Sequence, residues 1–441
     1  MPSPSSLLTL AVAITSASAS FSGFNYGSTF TTGAPKQQGD FEAEFKAAAN
    51  LKGTDGIFRS ARLYTMVQAG TADQPISAIQ AAINTKTTLL LGLWASGNGF
   101  QNEINALKKT IDQYCSKLDG LVAGISIGSE DLYRDSDLGK KNSNGLPGAN
   151  AQTLVNYIKQ VRDTVKGSCL KDAPIGHVDT WSAYVDGANK PVIDALDWLG
   201  MDTYPYFEDD KDNQIANGRD LYLAALQKIQ NAGPGKPIWV TETGWPVSGK
   251  KSGGAVPSKE NAQDYWQKVG CPMFGKTNVW WYTMQDAEPQ TPNPSFGVIG
   301  SDLNSEPLFD LSCKGHENPP APASSSAPAS ASKSSAPASQ SSSAPASNQS
   351  SSKPTTTEAS KGPATSQPTT MATTNGNGNG SNTQGQSKPT QSANNGGSSD
   401  NNNKPSQTTS AAGSKPSVGA AGNLNAFGAA GAAVVLAALA L

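Results

Sequence analysis

Histidine is nearly absent from this chain, which has only His177 and His316 among its 441 residues. No closely spaced pair of cysteines compensates for the scarcity, so the sequence argues against a zinc site and against most metal-hydrolase or phosphatase chemistry. A serine esterase is also disfavoured. Gly124-Ile125-Ser126-Ile127-Gly128 matches the G-x-S-x-G pattern, but Ser126 lies inside an apolar strand-like run and not at a sharp turn. We therefore expect no metal and no other cofactor.

The chain also lacks an excess of charge of either sign. It carries 33 lysines and arginines against 35 aspartates and glutamates, and its formal net charge is −2. No basic patch with interleaved aromatic residues is present, so no nucleic-acid partner is expected. Nothing in the pattern indicates an oligomer, and a monomer is expected.

Cysteine is scarce as well, with four residues in the whole chain. An even number in a secreted chain predicts up to two disulfides, and four cysteines allow three connectivities. Pairing of neighbours along the chain is the expectation, giving Cys115–Cys169 and Cys271–Cys313.

Composition divides the chain into four parts. Residues 1–19 resemble a secretory signal peptide, with a disordered N-terminus as the alternative. Residues 20–315 have globular composition and are long enough for a catalytic domain. Residues 316–412 are rich in Ser, Thr, Pro and Asn, which predicts a disordered, O-glycosylated stalk. Residues 413–441 combine small residues with a terminal apolar tail, which fits a GPI-attachment signal better than a membrane span.

These parts predict a location at the cell surface. The protein is expected to be secreted and tethered to the plasma membrane only through a GPI anchor, or attached to the cell wall. The attachment residue is Gly413 or Gly419, or a near neighbour. Asn348 and Asn379 begin the two Asn-x-Ser acceptor sites for N-glycosylation, and both lie in the stalk.

Within residues 20–315, strand-like and helix-like stretches alternate eight times. This alternation predicts an α/β fold, a closed (β/α)8 TIM barrel, with a doubly wound open sheet as the alternative. The eighth helix is expected to be missing or short, near Glu306–Leu311. The predicted strands are Phe21–Tyr26, Gly56–Tyr64, Thr88–Trp94, Val122–Glu130, Pro174–Thr180, Leu196–Tyr204, Pro237–Glu242 and Asn278–Thr283. The predicted helices are Phe41–Leu51, Ile76–Thr85, Phe100–Leu118, Ala151–Val165, Lys190–Ala195, Arg219–Asn231 and Lys259–Val269.

Two glutamates stand at the ends of apolar strands. Glu130 closes the fourth predicted strand and Glu242 the seventh, so both are expected at the C-terminal mouth where barrel active sites lie. A pair of carboxyl groups is what glycoside hydrolysis requires: one protonates the leaving oxygen and the other attacks or stabilises the anomeric carbon. The simpler alternative for each is a solvated strand-end residue.

A family resemblance decides between these alternatives. The run Ile238-Trp239-Val240-Thr241-Glu242-Thr243-Gly244-Trp245-Pro246 resembles the signature of glycoside hydrolase family 17, the β-1,3-glucanases. The resemblance implies that Glu242 is the nucleophile of a retaining enzyme on a (β/α)8 barrel. Ile127-Gly128-Ser129-Glu130 is similar to the acid/base motif of the family, which implies that Glu130 is the proton donor. With its stalk and C-terminal signal, the chain looks like a fungal GPI-anchored cell-wall endoglucanase.

One departure from the family pattern affects the site. Ser129 stands where related barrels carry an asparagine that hydrogen-bonds the 2-hydroxyl of the sugar. Because serine is shorter, this contact is expected to be weakened or replaced, which would alter the balance between hydrolysis and transfer.

Other candidates for the site lie at or near strand ends. Arg62 and Asp179 are candidates for positioning the carboxylates, although a structural salt bridge is an equal alternative for Asp179. His177 is expected to be a core residue with satisfied hydrogen bonds. Although an aromatic residue in a barrel strand is more often part of the core, several of these side chains can offer a sugar a flat face or a polar group. The substrate-binding candidates are Tyr26, Tyr64, Ser129, Tyr204, Trp245 and Trp281.

Three functions are compatible with this sequence. The first is a retaining endo-1,3-β-D-glucanase that hydrolyses internal bonds of cell-wall β-1,3-glucan. The second is a 1,3-β-glucanosyltransferase that uses the same covalent intermediate and a sugar acceptor. The third is a wall protein that binds glucan without catalysis.

Overall fold

The computed structural model describes residues 20–286 and 289–318. Several predicted features lie outside the described residues: the signal peptide, nearly all of the stalk, Asn348, Asn379, and the GPI region with Gly413 and Gly419.

The described part contains eight strands. They are β1 (Ser22–Tyr26), β2 (Phe58–Leu63), β3 (Thr88–Leu93), β4 (Val122–Ile127), β5 (Ile175–Thr180), β6 (Trp198–Asp202), β7 (Ile238–Glu242) and β8 (Val279–Trp281).

The eight strands close into a parallel barrel. Each strand pairs with the next along the chain, and β1 pairs with β8 through Ser22–Val279, Gly23–Trp280 and Phe24–Trp281. The predicted closed barrel is therefore confirmed, and the open sheet is excluded. The C-terminal ends of all strands share one mouth, where the loops that follow them converge.

Helices connect the strands along the outside of the barrel. Short 3₁₀ turns cover Cys115–Lys117, Gly187–Asn189 and Pro205–Phe207, and a π-helical turn covers Trp266–Gly270. None of the helices in the described ranges is long and apolar enough to cross a membrane. The helices are α1 (Gln38–Ala49), α2 (Ala78–Thr85), α3 (Phe100–Tyr114), α4 (Asp131–Asp135), α5 (Asp137–Asn142), α6 (Ala151–Val165), α7 (Trp181–Val185), α8 (Lys190–Ala195), α9 (Ile215–Ala232), α10 (Lys259–Tyr265) and α11 (Cys271–Met273).

Of the two expectations for the eighth helix, missing or short, the first is met at the predicted place: residues 306–311 form no helix. Pro307 makes an isolated bridge with Ile299 instead, and the Leu311 carbonyl accepts a hydrogen bond from the Trp266 indole at 3.0 Å. The fourth strand ends at Ile127 and not at Glu130, because Gly128 and Glu130 both adopt left-handed backbone conformations.

Tryptophan rings fill the lower barrel interior. Trp198 stacks on Trp239 with ring centroids 4.0 Å apart, and Trp239 approaches Trp280 at 5.9 Å. Glycines on the facing strands make the room: a Cβ atom on Gly176 would lie 2.2 Å from Trp198, and one on Gly124 would lie 2.9 Å from Trp239. This dry layer seals the barrel below the mouth, so polar groups above it are shielded from water on that side.

The disulfides fasten the outer layer, and both predicted pairings are confirmed. Cys115–Cys169 joins the segment after α3 to the segment after α6. Cys271–Cys313 joins α11 to the last described residues, which return along the barrel after β8.

Candidate active site

Glu242 ends β7 with its carboxylate held by three donors. Arg62 Nη1 donates to Oε1 at 2.6 Å, and the Tyr64 hydroxyl donates to the same oxygen at 2.8 Å. The Tyr204 hydroxyl donates to Oε2 at 2.7 Å. Three donors to a side chain that is 1% exposed fix both the ionised state and the orientation of this carboxylate.

Arg62 connects this carboxylate to the barrel wall. Its Nη1 also donates to Oδ1 of Asn25, whose amide in turn donates to the carbonyls of Thr241 and Trp280. Its Nη2 donates to Oγ of Ser129 at 3.0 Å. One guanidinium therefore spans β1, β2, β7 and the segment that carries Glu130.

Glu130 lies on a turn beyond β4 and not on the strand itself. Its backbone is left-handed, with φ 55° and ψ 29°, and its N–H donates to the carbonyl of Val178 on β5 at 2.8 Å. A Cβ atom on Gly128 would lie 2.0 Å from Asp131 Oδ2, so only glycine allows this turn to close. The turn delivers the carboxyl group of Glu130 to the buried side of the mouth.

The electrostatics of Glu130 differ from those of Glu242. Burial, followed by the negative charge of Glu242, raises the pKa of Glu130 to about 8, although Arg134 opposes the shift. Arg134 Nη1 lies 3.9 Å from Glu130 Oε2, and that oxygen has no hydrogen-bond partner among the described residues. At neutral pH Glu130 therefore carries a proton that it can donate, while Glu242 is charged.

A network of polar groups supports the turn. Asp131 accepts from the N–H of Ser129 at 2.7 Å and from the hydroxyl of Ser96. Arg134 donates to the carbonyls of Ser129 and Pro147 and lies 4.9 Å from the centroid of the Trp94 ring. These contacts fix the turn from below, so Glu130 is held in place without a hydrogen bond to its free carboxyl oxygen.

The six substrate-binding candidates fall into two groups. Tyr64, Tyr204 and Ser129 belong to the network around Glu242 and Arg62, as described above. These three residues lie at the mouth, and their direct contact with a sugar stays a prediction.

The other three candidates require correction, because they point away from the mouth. Tyr26 packs edge-on against Phe45 of α1, at 5.0 Å. Trp245 packs against Tyr265 of α10 at 5.8 Å and donates its indole N–H to the carbonyl of Val256. Trp281 contacts Trp266 at 4.9 Å, in the layer between barrel and helices. Alternation along β1 and β8 puts Asn25 and Trp280 inside the barrel and turns their neighbours outward.

The sequence reasoning missed a third carboxyl group in the site. Asp202, at the end of β6, accepts from the Thr241 hydroxyl at 2.7 Å and is 1% exposed. Burial, followed by the charge of Glu242, raises its pKa well above the usual range, while Arg62 opposes the shift. It shares the signal of the two glutamates, an acid directly after an apolar strand. Tyr282 was also missed, and its ring packs against Tyr204 and Phe296 beside Glu242.

The described residues contain no group of three or more histidine, cysteine, aspartate or glutamate side chains arranged to hold a metal ion. What the site does contain is a protonated carboxyl group, Glu130, and an ionised one, Glu242, at the mouth of a parallel barrel. That combination is the one that acid-assisted cleavage of a glycosidic bond uses.

Comparison with known proteins agrees with this chemistry. Residues 23–299, more than half of the chain, match the model of the BtgE/BtgC glycoside hydrolase domain. The chain belongs to this family of glycoside hydrolases. It is 57% identical over 307 residues to an Aspergillus fumigatus protein named "Probable glucan endo-1,3-beta-glucosidase", covering 70% of this chain and 68% of that relative.

Solved structures agree as well. The glycoside hydrolase family 17 β-1,3-glucanosyltransferase from Rhizomucor miehei superposes with a TM-score of 0.54 at 26% identity, covering 66% of this chain and 97% of that one. An active-site mutant of the Rhizomucor miehei enzyme, matched with the same score and coverage, is bound to laminaritriose.

The hydrogen bond from Tyr204 to Glu242 can be tested with a closely matched control. Tyr204→Phe removes one donor to the proposed nucleophile, and we expect kcat to fall about 10- to 100-fold, since a bond to a charged group contributes about 1.5–3 kcal/mol. Tyr206→Phe removes the same hydroxyl two residues away, where it donates to the Lys250 carbonyl. Steady-state kinetics on a soluble β-1,3-glucan should show the loss only in Tyr204→Phe. Equal activity of the two variants would contradict the assignment.

The raised pKa of Glu130 also makes folding stability depend on pH. A carboxyl group whose pKa is higher in the folded state stabilises the protein fully below its unfolded pKa, and this contribution is lost as pH rises towards 8. Glu130→Gln should therefore unfold at a higher denaturant concentration than wild type at pH 8 and differ little at pH 5, with a change in relative stability of about 1–4 kcal/mol. Glu306→Gln, which alters an exposed glutamate, is the control. A difference between Glu130→Gln and wild type that does not vary with pH would exclude the raised pKa.

Proposed function

We propose that this chain is a retaining endo-1,3-β-D-glucanase that hydrolyses internal bonds of β-1,3-glucan by double displacement. One observation carries the proposal: Glu242 is held as a carboxylate by Arg62, Tyr64 and Tyr204, while the pKa of the buried Glu130 is about 8. The name of the Aspergillus fumigatus relative, a glucan endo-1,3-beta-glucosidase, supports 1,3-β-glucan as the substrate.

In the first step, Glu242 attacks the anomeric carbon while Glu130 donates its proton to the departing glycosidic oxygen. The bond between the anomeric carbon and that oxygen breaks, and a glycosyl ester forms on Glu242. The ester neutralises the carboxylate of Glu242. Because that charge is one cause of the raised pKa of Glu130, its loss lowers this pKa and prepares Glu130 to act as a base.

In the second step, Glu130 takes a proton from water as the water oxygen attacks the same carbon. The ester bond breaks, Glu242 leaves as a carboxylate, and the configuration at the anomeric carbon is retained overall. Arg62, Tyr64 and Tyr204 stabilise the returning charge, since they already point at the oxygens on which it forms.

A second candidate, a 1,3-β-glucanosyltransferase, has a specific point in its favour. The Rhizomucor miehei structure that superposes on this barrel carries that name. The two reactions share the first step and differ only in whether water or a sugar hydroxyl attacks the ester.

One experiment separates these possibilities. Unbranched β-1,3-glucan and a reduced laminari-oligosaccharide are incubated with the enzyme, and product size and initial anomer are followed by mass spectrometry and NMR. We expect products shorter than the input that first appear as the β-anomer. Products longer than the oligosaccharide would indicate transfer instead, and initial α-anomer would exclude double displacement.

The control variant is Glu242→Gln, which nearly preserves the side-chain shape and removes the charge. We expect glucan cleavage to fall by about 10⁴-fold or more, as for loss of a catalytic nucleophile. Cleavage equal to that of wild type would favour a wall protein that binds glucan without catalysis.

We further propose that the protein is secreted and held at the cell surface by a GPI anchor, attached at or near Gly413 or Gly419. The support is sequence alone: an apolar N-terminal segment, small residues near position 413 and a terminal apolar tail. Phosphatidylinositol-specific phospholipase C should release the full-length protein from membranes, and a chain ending at residue 412 should appear in the medium. Retention of the shortened chain in the membrane fraction would contradict the anchor.

A further inference from the structure

His177 lies on β5 beneath the turn that carries Glu130, and it is completely buried. Its neighbours Gly176 and Val178 face the barrel interior, so His177 faces the helices. Nδ1 lies 2.6 Å from the carbonyl oxygen of Ile127, and Nε2 lies 2.9 Å from Oδ2 of Asp179. A carbonyl oxygen can only accept, so Nδ1 must carry a proton.

Asp179 is already saturated with donors. Its Oδ2 accepts the N–H of Leu132 at 2.9 Å, and its Oδ1 accepts the N–H groups of Thr180 at 2.8 Å and Tyr133 at 3.3 Å. With His177 as the fourth partner, all four acceptor positions of an ionised carboxylate are used. Three backbone N–H bonds to Asp179 favour its ionised form over a protonated one, so the proton between Asp179 and His177 belongs to the ring.

We propose that His177 is held as a doubly protonated imidazolium and that it forms, with Asp179, the positioning pair for the acid/base residue Glu130. Both residues are positioning residues and touch no substrate in this proposal. The proposal rests on the role of Glu130 stated under the proposed function, whereas the protonation state of His177 does not.

The pair clamps the turn on both sides. Ile127, which accepts from His177, is the last residue of β4, and Leu132 and Tyr133, which donate to Asp179, lie in the first turn of α4. Glu130 sits between these two points, and its N–H is fixed to Val178 on the same strand as the pair. A ring protonated only at Nδ1 would keep its bond to Ile127 but lose the bond to Asp179 that joins the two sides of the clamp, and the left-handed backbone of Glu130 would lose support.

The charges around the ring agree with an imidazolium. From α4 the charge of Asp131, which is paired with Arg134 at 3.5 Å, acts on the ring, and the Tyr184 ring of α7 lies 6.5 Å away with its hydroxyl donating to the His177 carbonyl. Burial alone would lower the pKa of His177, but the hydrogen bond and charge of Asp179 and the charge of Asp131 outweigh it and raise the pKa.

The chain offers a direct measurement, because its only other histidine is the exposed His316. Full-length protein labelled with ¹⁵N-histidine is titrated by NMR from pH 5 to pH 9, and the signals are assigned with His316→Gln. We expect the His177 ring to keep both protons well beyond the usual histidine range. Loss of a ring proton from His177 within the usual histidine range would overturn the proposal.

Kinetics test the positioning role. In Asp179→Asn the charge that helps to raise the pKa of Glu130 is gone, so the basic limb of the kcat/KM profile should move to lower pH by about one unit. In His177→Gln, kcat should fall about 10- to 100-fold with KM changed by less than about threefold, because the acid is misplaced while glucan binding remains. His316→Gln should match wild type in both respects.

The outcomes are separable. An unshifted basic limb in Asp179→Asn, or kcat in His177→Gln equal to that of His316→Gln, would leave the pair a purely structural contact and overturn the positioning role. If His177→Gln fails to fold, the wild-type titration and Asp179→Asn still decide. If no variant, including wild type, cleaves glucan, the proposed function fails while the NMR result stands alone.

Discussion

The active site depends on one buried cation, Arg62. Its guanidinium is 1% exposed and shares the barrel mouth with three carboxyl groups, of which only Glu242 is in direct contact with it. A buried charge without a partner is strongly destabilising, and removing one member of such a pair typically costs about 3–5 kcal/mol. The folded barrel therefore requires at least one ionised carboxylate beside Arg62. This requirement comes from the stability of the fold. It also keeps Glu242 charged at the point where the chemistry needs a carboxylate.

The unequal states of the carboxyl groups follow from this pairing. Arg62, Tyr64 and Tyr204 satisfy Glu242, whereas Glu130 and Asp202 are buried with fewer compensating donors and are raised in pKa by the charge of Glu242. Two carboxyl groups of the same chemical type thus take different protonation states because their surroundings differ. The same reasoning applies to Asp202. Because this third acid is neutral, Glu242 remains the charged partner of Arg62.

The sequence predicted the parts of this structure that repeat. Eight alternations of strand and helix are enough to define a closed barrel, and an acid after an apolar strand is enough to place Glu130 and Glu242 at one mouth. It did not predict which way an aromatic side chain at a strand end faces, because a one-residue change in strand phase reverses the orientation. Tyr26 and Trp281 were misplaced for that reason, whereas Trp245 lies beyond the end of β7, where strand phase gives no orientation. Arg62 was a candidate from its place near a strand end, but its contacts with Asn25, Ser129 and Glu242 depend on distances between strands, which periodicity does not contain. Asp202 carried the same strand-end signal as the two glutamates and was missed.

The two glutamates are held in different ways, and the difference matches the roles proposed for them, Glu242 as nucleophile and Glu130 as acid/base residue. A nucleophile must hold one position through both displacements, and Glu242 sits on a β-strand with donors on both oxygens. The acid/base residue must lose and regain a proton while its neighbour changes charge, so donors on its carboxyl group would favour one protonation state too strongly. Glu130 is accordingly fixed through its backbone, by Val178 and by the contacts of Asp131 and Arg134 within the turn. The main chain of Glu130 is held rigidly, whereas its carboxyl Oε2 accepts no hydrogen bond from the described residues. Both the protonated and the ionised state of Glu130 are therefore accessible.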